Sequence, residues 1–308
     1  MQQYGINYDK TTAPTTHLES FHTIAHLAMS LDWDLKQYDI KTTFLHGVLP
    51  PDESMFMEQP PGFKCPGKED WVWQLLKSIY GMKQASHVWN KTLHATVSEW
   101  GFQRLECEWC VYVCQSPTAT IIFSIHVDDI FAATSSLEEN DRFWDLLKSH
   151  WDISELGPTK FALGIAISHD RPSRTISLSQ TAFIDCVIEC FRQTDAHPCD
   201  TPMVARLQLC RPNPSTPPSS ETTAWVDHTP YCALVGSLNY IAVATCPNIA
   251  FAVGCLAAFL DCYCLEHWSA GIWVLQYLKG TCSLCLIGYS DSDYANCVDC
   301  NALSWALS

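Results

Sequence analysis

The sequence predicts an α+β fold, and three observations carry that expectation. Some windows space their apolar residues at helical intervals, others alternate apolar and polar residues, and the two kinds interleave along the chain. Around residues 120–134 two strand-like runs follow one another with no room for a long loop, so they form a hairpin. The strands are therefore mostly antiparallel, which suits α+β. At 308 residues the chain could hold two domains with ample apolar content for a core.

In chain order, His17 to Leu31 has helical spacing through Leu18, Phe21, Ile24, Ala25 and Ala28, and closes before the turn at Asp32-Trp-Asp34. Strands follow near 34–40, 55–59 and 72–76. A helix from about Gln84 to Trp100 stops at Gly101. Strands near 111–115, 120–127 and 130–134 build the hairpin. Leu137 to Trp151 reads as an amphipathic helix and Thr181 to Arg192 as another. Pro202 to Pro230 is a linker, because Arg211-Pro-Asn-Pro-Ser-Thr-Pro-Pro-Ser-Ser220 cannot hold a helix or a central strand. Helices near 231–245, 248–261 and 266–279 come after it, and there is no internal repeat.

Tyr231 to Leu260 runs thirty residues without a formal charge. That length permits a membrane span. However, Pro247 and Asn248 split it, and Ser237, Asn239 and Thr245 would need satisfying in lipid. Two helices meeting at Cys246-Pro-Asn248 fit better, with no membrane.

The charge balance is acidic, 18 Lys plus Arg against 33 Asp plus Glu. After Arg211 the only Lys or Arg is Lys279. A nucleic-acid site would therefore need a locally positive cleft carved from few cations. The 17 cysteines do not look like a secreted framework, since the N-terminus lacks a signal peptide's basic and apolar regions. Most lie in apolar periodic segments, where a buried reduced thiol is expected in an intracellular, cytoplasmic protein. Cys282-x-x-Cys285 and Cys297-x-x-Cys300 have the paired spacing of a zinc ribbon. Chance enrichment in a Cys-rich chain is the competing reading, and no zinc is expected.

The most informative feature is Ile121-Ile-Phe-Ser-Ile-His-Val-Asp-Asp-Ile-Phe-Ala-Ala133, which places Asp128 and Asp129 at the hairpin tip. Adjacent carboxylates at a turn are often only turn chemistry. They gain meaning if a third carboxylate arrives from another strand, because a two-metal site needs anionic oxygens from separate elements. Asp39 is that candidate. It ends an alternation in which Leu35, Gln37 and Asp39 share one face, and Phe44 follows five residues later. Leu75-Leu-Lys-Ser-Ile-Tyr-Gly-Met-Lys-Gln-Ala-Ser-His-Val-Trp89 then reads as a strand, a break at Gly81 and a helix.

These three blocks resemble motifs A, B and C of the reverse transcriptase of Ty1/copia-type retrotransposons. The likeness continues through Tyr8-Asp-Lys-Thr-Thr-Ala-Pro14, Met57-Glu-Gln-Pro-Pro-Gly-Phe63, Leu156-Gly-Pro-Thr-Lys-Phe-Ala-Leu-Gly-Ile165, Tyr231-Cys-Ala-Leu-Val-Gly-Ser-Leu-Asn-Tyr240, Glu266-His-Trp268, Leu278-Lys-Gly-Thr281 and Gly288-Tyr-Ser-Asp-Ser-Asp-Tyr294. It covers nearly the whole chain. The resemblance implies a right-hand polymerase fold over residues 1–201, with palm, partial fingers and thumb. It then implies the linker at 202–230, a helical connection at 231–280 and a truncated ribonuclease H-like remnant at 281–308.

It also implies site residues. Asp39 and Asp128 would be the principal ligands of two Mg²⁺ ions, with Asp129 assisting or structural. Phe44 would pack under the deoxyribose and exclude a 2′-hydroxyl; otherwise it is a core aromatic. Tyr80, Gly81 and Gln84 match the nucleotide-binding motif, and Lys160 is either a phosphate contact or a solvated lysine. Asp291 matches the first ribonuclease H carboxylate. The implied partners are an RNA or DNA primer-template, deoxynucleoside triphosphates and the rest of a Pol polyprotein, inside a cytoplasmic virus-like particle.

The chain also departs from the family pattern. His126 replaces the usual Tyr before the paired aspartates, and Ala85-Ser86-His87 replaces Ala-Pro-Arg. An Arg is expected near His17 and another near His22, so several basic positions have become His, which carries little charge at neutral pH. The basic fingers strand is expected ahead of Tyr4, and the remaining ribonuclease H carboxylates beyond the last residue. Three readings follow: a competent RNA-directed DNA polymerase; a truncated relic with a folded palm and no activity; and a non-enzymatic binding module. The second is preferred for the chain in isolation, and ribonuclease H activity is not expected.

Overall fold

Tyr38 and Ile40 alternate with Gln37 and Asp39 along Asp34–Ile40, and this alternation makes β1 a strand with one face in the core. The computed structural model describes residues 2–5, 8–50, 54–211, 229–281, 286–289 and 305–307. Its contacts divide the chain into two units, Met1–Thr159 and Lys160–Ser308. In the first unit β1 is joined by β4 (Gln103–Arg104), β5 (Val111–Gln115), β6 (Thr120–His126), β7 (Asp129–Thr134) and β8 (Ile153–Pro158). The sheet order is β4-β5-β6-β7-β1-β8, antiparallel throughout, so β1 lies between β7 and β8. A separate ribbon pairs β2 (Met55–Glu58) with β3 (Val72–Leu75).

Helices α2 (Ala85–Glu99) and α3 (Leu137–His150) cover the face that carries Tyr38, Ile40, Phe123, Ile125 and Ile130. They do so through Trp89, Leu93, Val97, Phe143 and Leu147. The centre of this core is aromatic: Phe123 has ring centroids 5.1 Å from Phe102, 5.1 Å from Tyr112 and 5.2 Å from Phe143. Such pairs contribute about 0.5–1.5 kcal/mol each beyond their burial. Helix α1 (Leu18–Ser30) packs on the opposite face, where Phe21 lies 4.7 Å from Phe131.

The start of α1 is tied to the sheet by Glu108, which is 6% exposed. Its Oε2 accepts from the His17 amide at 3.2 Å and the Ser20 hydroxyl at 2.9 Å, and its Oε1 accepts from the Cys110 amide at 3.2 Å. His17 Nδ1 lies 2.8 Å from the same carboxylate. His17, near which the resemblance implies an Arg, is thus engaged by the protein's own acid.

One strand-level expectation needs correction. Asp129 is not in the hairpin loop but opens β7, paired with His126. Leu156 and Gly157 lie within β8, with a one-residue bulge where Gln37 pairs with Gly157 and Tyr38 with Glu155. Gly157 sits there at φ +78°, a conformation glycine takes freely.

In the second unit β9 (Phe161–Ala162), β10 (Ile165–Asp170), β11 (Thr175–Ser179), β12 (Leu286–Tyr289) and β13 (Trp305–Leu307) form an antiparallel sheet of order β13-β12-β11-β10-β9. Helix α4 (Thr181–Cys190) contributes Ile184, Val187 and Ile188 to a core with α5 (Tyr231–Ala244), α6 (Ala250–Ala257) and α7 (Leu265–Thr281). As expected, α5 and α6 are separated at Cys246-Pro247, by a 3-10 turn over Pro247–Ile249. Among the described residues no helix is long and apolar enough to cross a membrane.

The expectation of buried thiols also needs correction. Among the described residues the cysteines are free, yet only Cys110 and Cys246 are buried, while Cys186 and Cys190 lie exposed on α4. Sequence windows can be apolar on both sides of a helix that has only one covered face. Cys282, Cys285, Cys297, Cys300 and Asp291 lie outside the described residues, as does 212–228 of the linker.

The Glu108 network has a definite pH signature. Burial alone would raise this carboxyl's pKa, but hydrogen bonds from Ser20, His17 and Cys110 outweigh it and hold the value below the ordinary one. Its contribution is therefore present above the ordinary carboxylate range and lost as pH falls through the depressed value. Glu108→Gln should lower the melting midpoint at pH 7 by about 3–8 °C. The deficit should shrink in acid, and an equal deficit at every pH would contradict the assignment.

Candidate active site

The site is built first by strand register. Asp39 on β1 pairs directly with Asp129 on β7, so their Cβ atoms are about 4.5–5.5 Å apart on one face. That face is opposite the one bearing Tyr38 and Ile40. Gln37, two residues before Asp39 and 7% exposed, donates from Nε2 to Asp129 Oδ1 at 3.2 Å. Asp128 is brought to the same end of β1 by its backbone, because its carbonyl accepts from the Ile40 amide at 3.0 Å.

The β6–β7 loop has only two residues, Val127 and Asp128, between the paired His126 and Asp129. Val127 has φ +63°. That is the left-handed region, where a β-branched residue is strained and hairpins normally place Gly. Thr42, just after β1, is at φ +52°. Each costs about 1–2 kcal/mol, so the surrounding contacts must hold both turns. Trp89 Nε1 donates to the Val127 carbonyl at 2.9 Å, the Thr16 hydroxyl to the Ile125 carbonyl at 2.6 Å, and the Thr43 hydroxyl to the Ile40 carbonyl at 2.7 Å.

Three carboxylates at one end of a strand pair repel one another. Burial first, and then the negative charges of Asp128 and Asp129, raise the pKa of Asp39 above its ordinary value, with Lys41 opposing. Lys41 is itself 3.2 Å from Asp152. A cation beside Asp39 would offset this penalty on its ionised form.

The donor set is three hard carboxylate oxygens, which suits Mg²⁺. Among the described residues no three His, Cys, Asp or Glu side chains form a ready-made metal cage. Mg²⁺ does not require one, since it commonly takes one or two carboxylates and completes its shell with water and substrate phosphates. The bond from Gln37 engages one carboxylate oxygen of Asp129.

Phe44 follows in a 3-10 turn over Thr43–Leu45, half-buried, with its ring edge-on to Tyr80 at 5.3 Å. The Ser78 hydroxyl donates to the Phe44 carbonyl. Gly47 is needed close by, because a Cβ there would meet Ser78 Oγ at 2.5 Å and the Trp89 amide nitrogen at 3.2 Å. A cavity of about 140 Å³ lies beside Phe44, lined also by Ser86, Trp89, Asn90, Ile125 and Val127.

The remaining expected residues are placed unevenly. Tyr80 is exposed and touches Phe44. Gly81 takes φ +91°, and a Cβ there would meet nothing within 4 Å, so its need is conformational. Gln84 is 2% exposed and its Oε1 accepts from Gln2 Nε2 at 2.8 Å, so its side chain is engaged internally. His87 Nδ1 lies 2.9 Å from the Thr12 carbonyl. Lys160 is exposed and belongs to the second unit. Trp89, Thr16 and Gln37 were not anticipated as part of the site. Only Gln37 left a signal, by sharing a face with Asp39 at spacing two.

A family model described as reverse transcriptase (RNA-dependent DNA polymerase) matches residues 1–205. The chain is 36% identical, over 97% of its length, to the retrovirus-related Pol polyprotein from transposon TNT 1-94 of Nicotiana tabacum, of which it covers 23%. It is 29% identical, over 97% of its length, to the retrovirus-related Pol polyprotein from transposon RE2 of Arabidopsis thaliana, of which it covers 20%. Against the transposon Ty5-1 protein of Saccharomyces cerevisiae it is 31% identical over 87% of its own length and 84% of that relative. The chain thus spans less than a quarter of the two plant polyproteins and most of the yeast protein.

The raised Asp39 pKa sets the sign of a stability test. With its pKa raised, the ionised form costs stability: the fold is favoured below the ordinary value and loses that advantage as pH rises through the raised one. Asp39→Asn should therefore raise the melting midpoint at pH 7 by about 1–3 °C, with the gain vanishing in acid. A lower midpoint at pH 7 would contradict the carboxylate crowding.

Proposed function

Because the chain belongs to the reverse transcriptase (RNA-dependent DNA polymerase) family, with relatives among Ty1/copia-type retrotransposon Pol polyproteins, we propose that Asp39, Asp128 and Asp129 form its nucleotidyl-transfer centre. The reaction would join a deoxynucleoside triphosphate to a primer 3′-hydroxyl on an RNA or DNA template. The observation that carries this reading is the Asp39–Asp129 strand pairing with the Asp128 loop bonded to the same strand.

Asp39 and Asp128 would hold two Mg²⁺ ions, with Asp129 restrained by Gln37. When bound, such ions activate the attacking hydroxyl and neutralise the triphosphate during in-line displacement. Phe44, flanked by the small cavity and backed by Tyr80, would lie under the sugar and exclude a 2′-hydroxyl. Gly81 would let the chain turn where nucleotide and template approach. Lys160 is proposed as a phosphate contact. Residues 1–201 would make up the polymerase, 202–230 the linker, 231–280 a connection and 281–308 a ribonuclease H-like remnant that includes Asp291. The chain would act within a longer Pol polyprotein.

A second reading, a palm that binds metal but synthesises little DNA when isolated, is favoured by specific residues. His17 faces Glu108 and His87 faces a backbone carbonyl, where the family pattern has Arg. Lys36 and Lys41 are committed to Glu155 and Asp152. Metals alone do not hold a triphosphate in line.

Primer extension on primed RNA with Mg²⁺ tests both readings. Synthesis should be weak, should fall steeply between about 50 and 200 mM salt, and should be abolished by Asp128→Asn. Undiminished extension by Asp128→Asn would overturn the assigned centre. Robust, salt-insensitive and Asp128-dependent synthesis would overturn only the second reading.

A further inference from the structure

We propose that Trp89 is a positioning residue for Asp128, acting through the backbone of the hairpin tip and not by touching substrate or metal. The inference rests on the reading of Asp128 as a metal ligand and adds a group outside the motifs' carboxylates.

Asp128 is one of two residues in a tight loop, so its side-chain direction is set by the two peptide planes that flank its Cα. The plane before it contains the Val127 carbonyl, and that carbonyl accepts from Trp89 Nε1 at 2.9 Å. The plane after it contains the Asp128 carbonyl, which accepts from the Ile40 amide at 3.0 Å. Each plane is therefore held by a donor from a different element. Ile40 is rigid because it lies inside the sheet, next to Asp39. Trp89 is rigid because its indole is buried, 3% exposed, with ring centroids 5.5 Å from Trp151.

The need for such a pin is specific to this loop. Val127 holds φ +63°, which a β-branched residue leaves readily unless something restrains it. If Val127 relaxes, the 127–128 plane rotates and carries the Asp128 Cα–Cβ bond with it, while Asp39 and Asp129 stay fixed in the sheet. The loss would be felt as weaker cation binding, since groups that orient metal ligands are typically worth about 10–100-fold in metal affinity.

The test is a Mn²⁺ titration of the full chain followed by electron paramagnetic resonance, with melting in metal-free buffer as a control. Trp89→Phe should weaken Mn²⁺ binding by about tenfold. Replacing Trp89 by benzothienylalanine keeps the bicyclic shape, exchanges only N–H for sulfur, and should give the same loss without a packing defect. Adding Val127→Gly to Trp89→Phe should recover part of the affinity, because glycine takes this conformation unaided; a general packing defect would not be rescued there. Wild-type Mn²⁺ affinity in the benzothienylalanine protein, with Asp128→Asn binding abolished, would overturn the positioning role alone. Unchanged binding in Asp128→Asn would overturn the metal-site reading beneath it.

Discussion

The register of β1 against β7 is the constraint on which the rest of the site depends. Strand side chains alternate with period two, so a slip of one residue would turn Asp39 into the aromatic core and Tyr38 out to solvent. Nothing in that exchange is tolerable, since Tyr38 is fully buried and donates to Asn140 at 2.8 Å. The core therefore fixes the register, and the register fixes the carboxylates. β1 also pairs with β8 on its other side, through a bulge that absorbs one extra residue. β1 is thus held on both edges while its end, with Asp39, remains half-exposed.

Stability and chemistry pull in opposite directions at this end of the sheet. Like charges facing one another across a ladder destabilise it, and the two β-branched residues in left-handed turns, Thr42 and Val127, add strain. Such costs are found at functional sites and persist only where neighbours over-determine the geometry. Here the neighbours are identifiable: Thr43 closes the first turn, and Thr16 and Trp89 hold the hairpin. A bound cation would relieve the repulsion.

Much of this was legible in the sequence, for stated reasons. The helices at 18–30, 85–99, 137–150 and 181–190 fall within a few residues of their expected bounds, because each has one apolar face. β1 and the β6–β7 hairpin were equally clear from alternation. β8, β10 and β11 were not anticipated: glycine, proline and bulging obscure the period in Ile153–Pro158, whereas Thr175–Ser179 alternates and was simply not read as a strand. Asp39, Asp128 and Asp129 could be picked out as candidates because two of them are adjacent and the third ends an alternating run. The supports could not. Trp89 reaches a loop 38 residues away, and Glu108 reaches back 91 residues to His17. Periodicity contains no information about such pairs. Gln84 shows the reverse limit: its motif position suggested a nucleotide contact, yet its amide is buried against Gln2.

The central claim is that Asp39 and Asp128 share a divalent cation at the end of β1. Anomalous diffraction from crystals soaked in Mn²⁺ tests it most directly. The account predicts a peak bound by oxygens of both carboxylates, at distances close to the roughly 2.0–2.1 Å of a small divalent ion. Carboxylates more than about 10 Å apart, when paired metals in such sites lie about 3.5–4 Å from each other, or a peak held by neither residue, would contradict it.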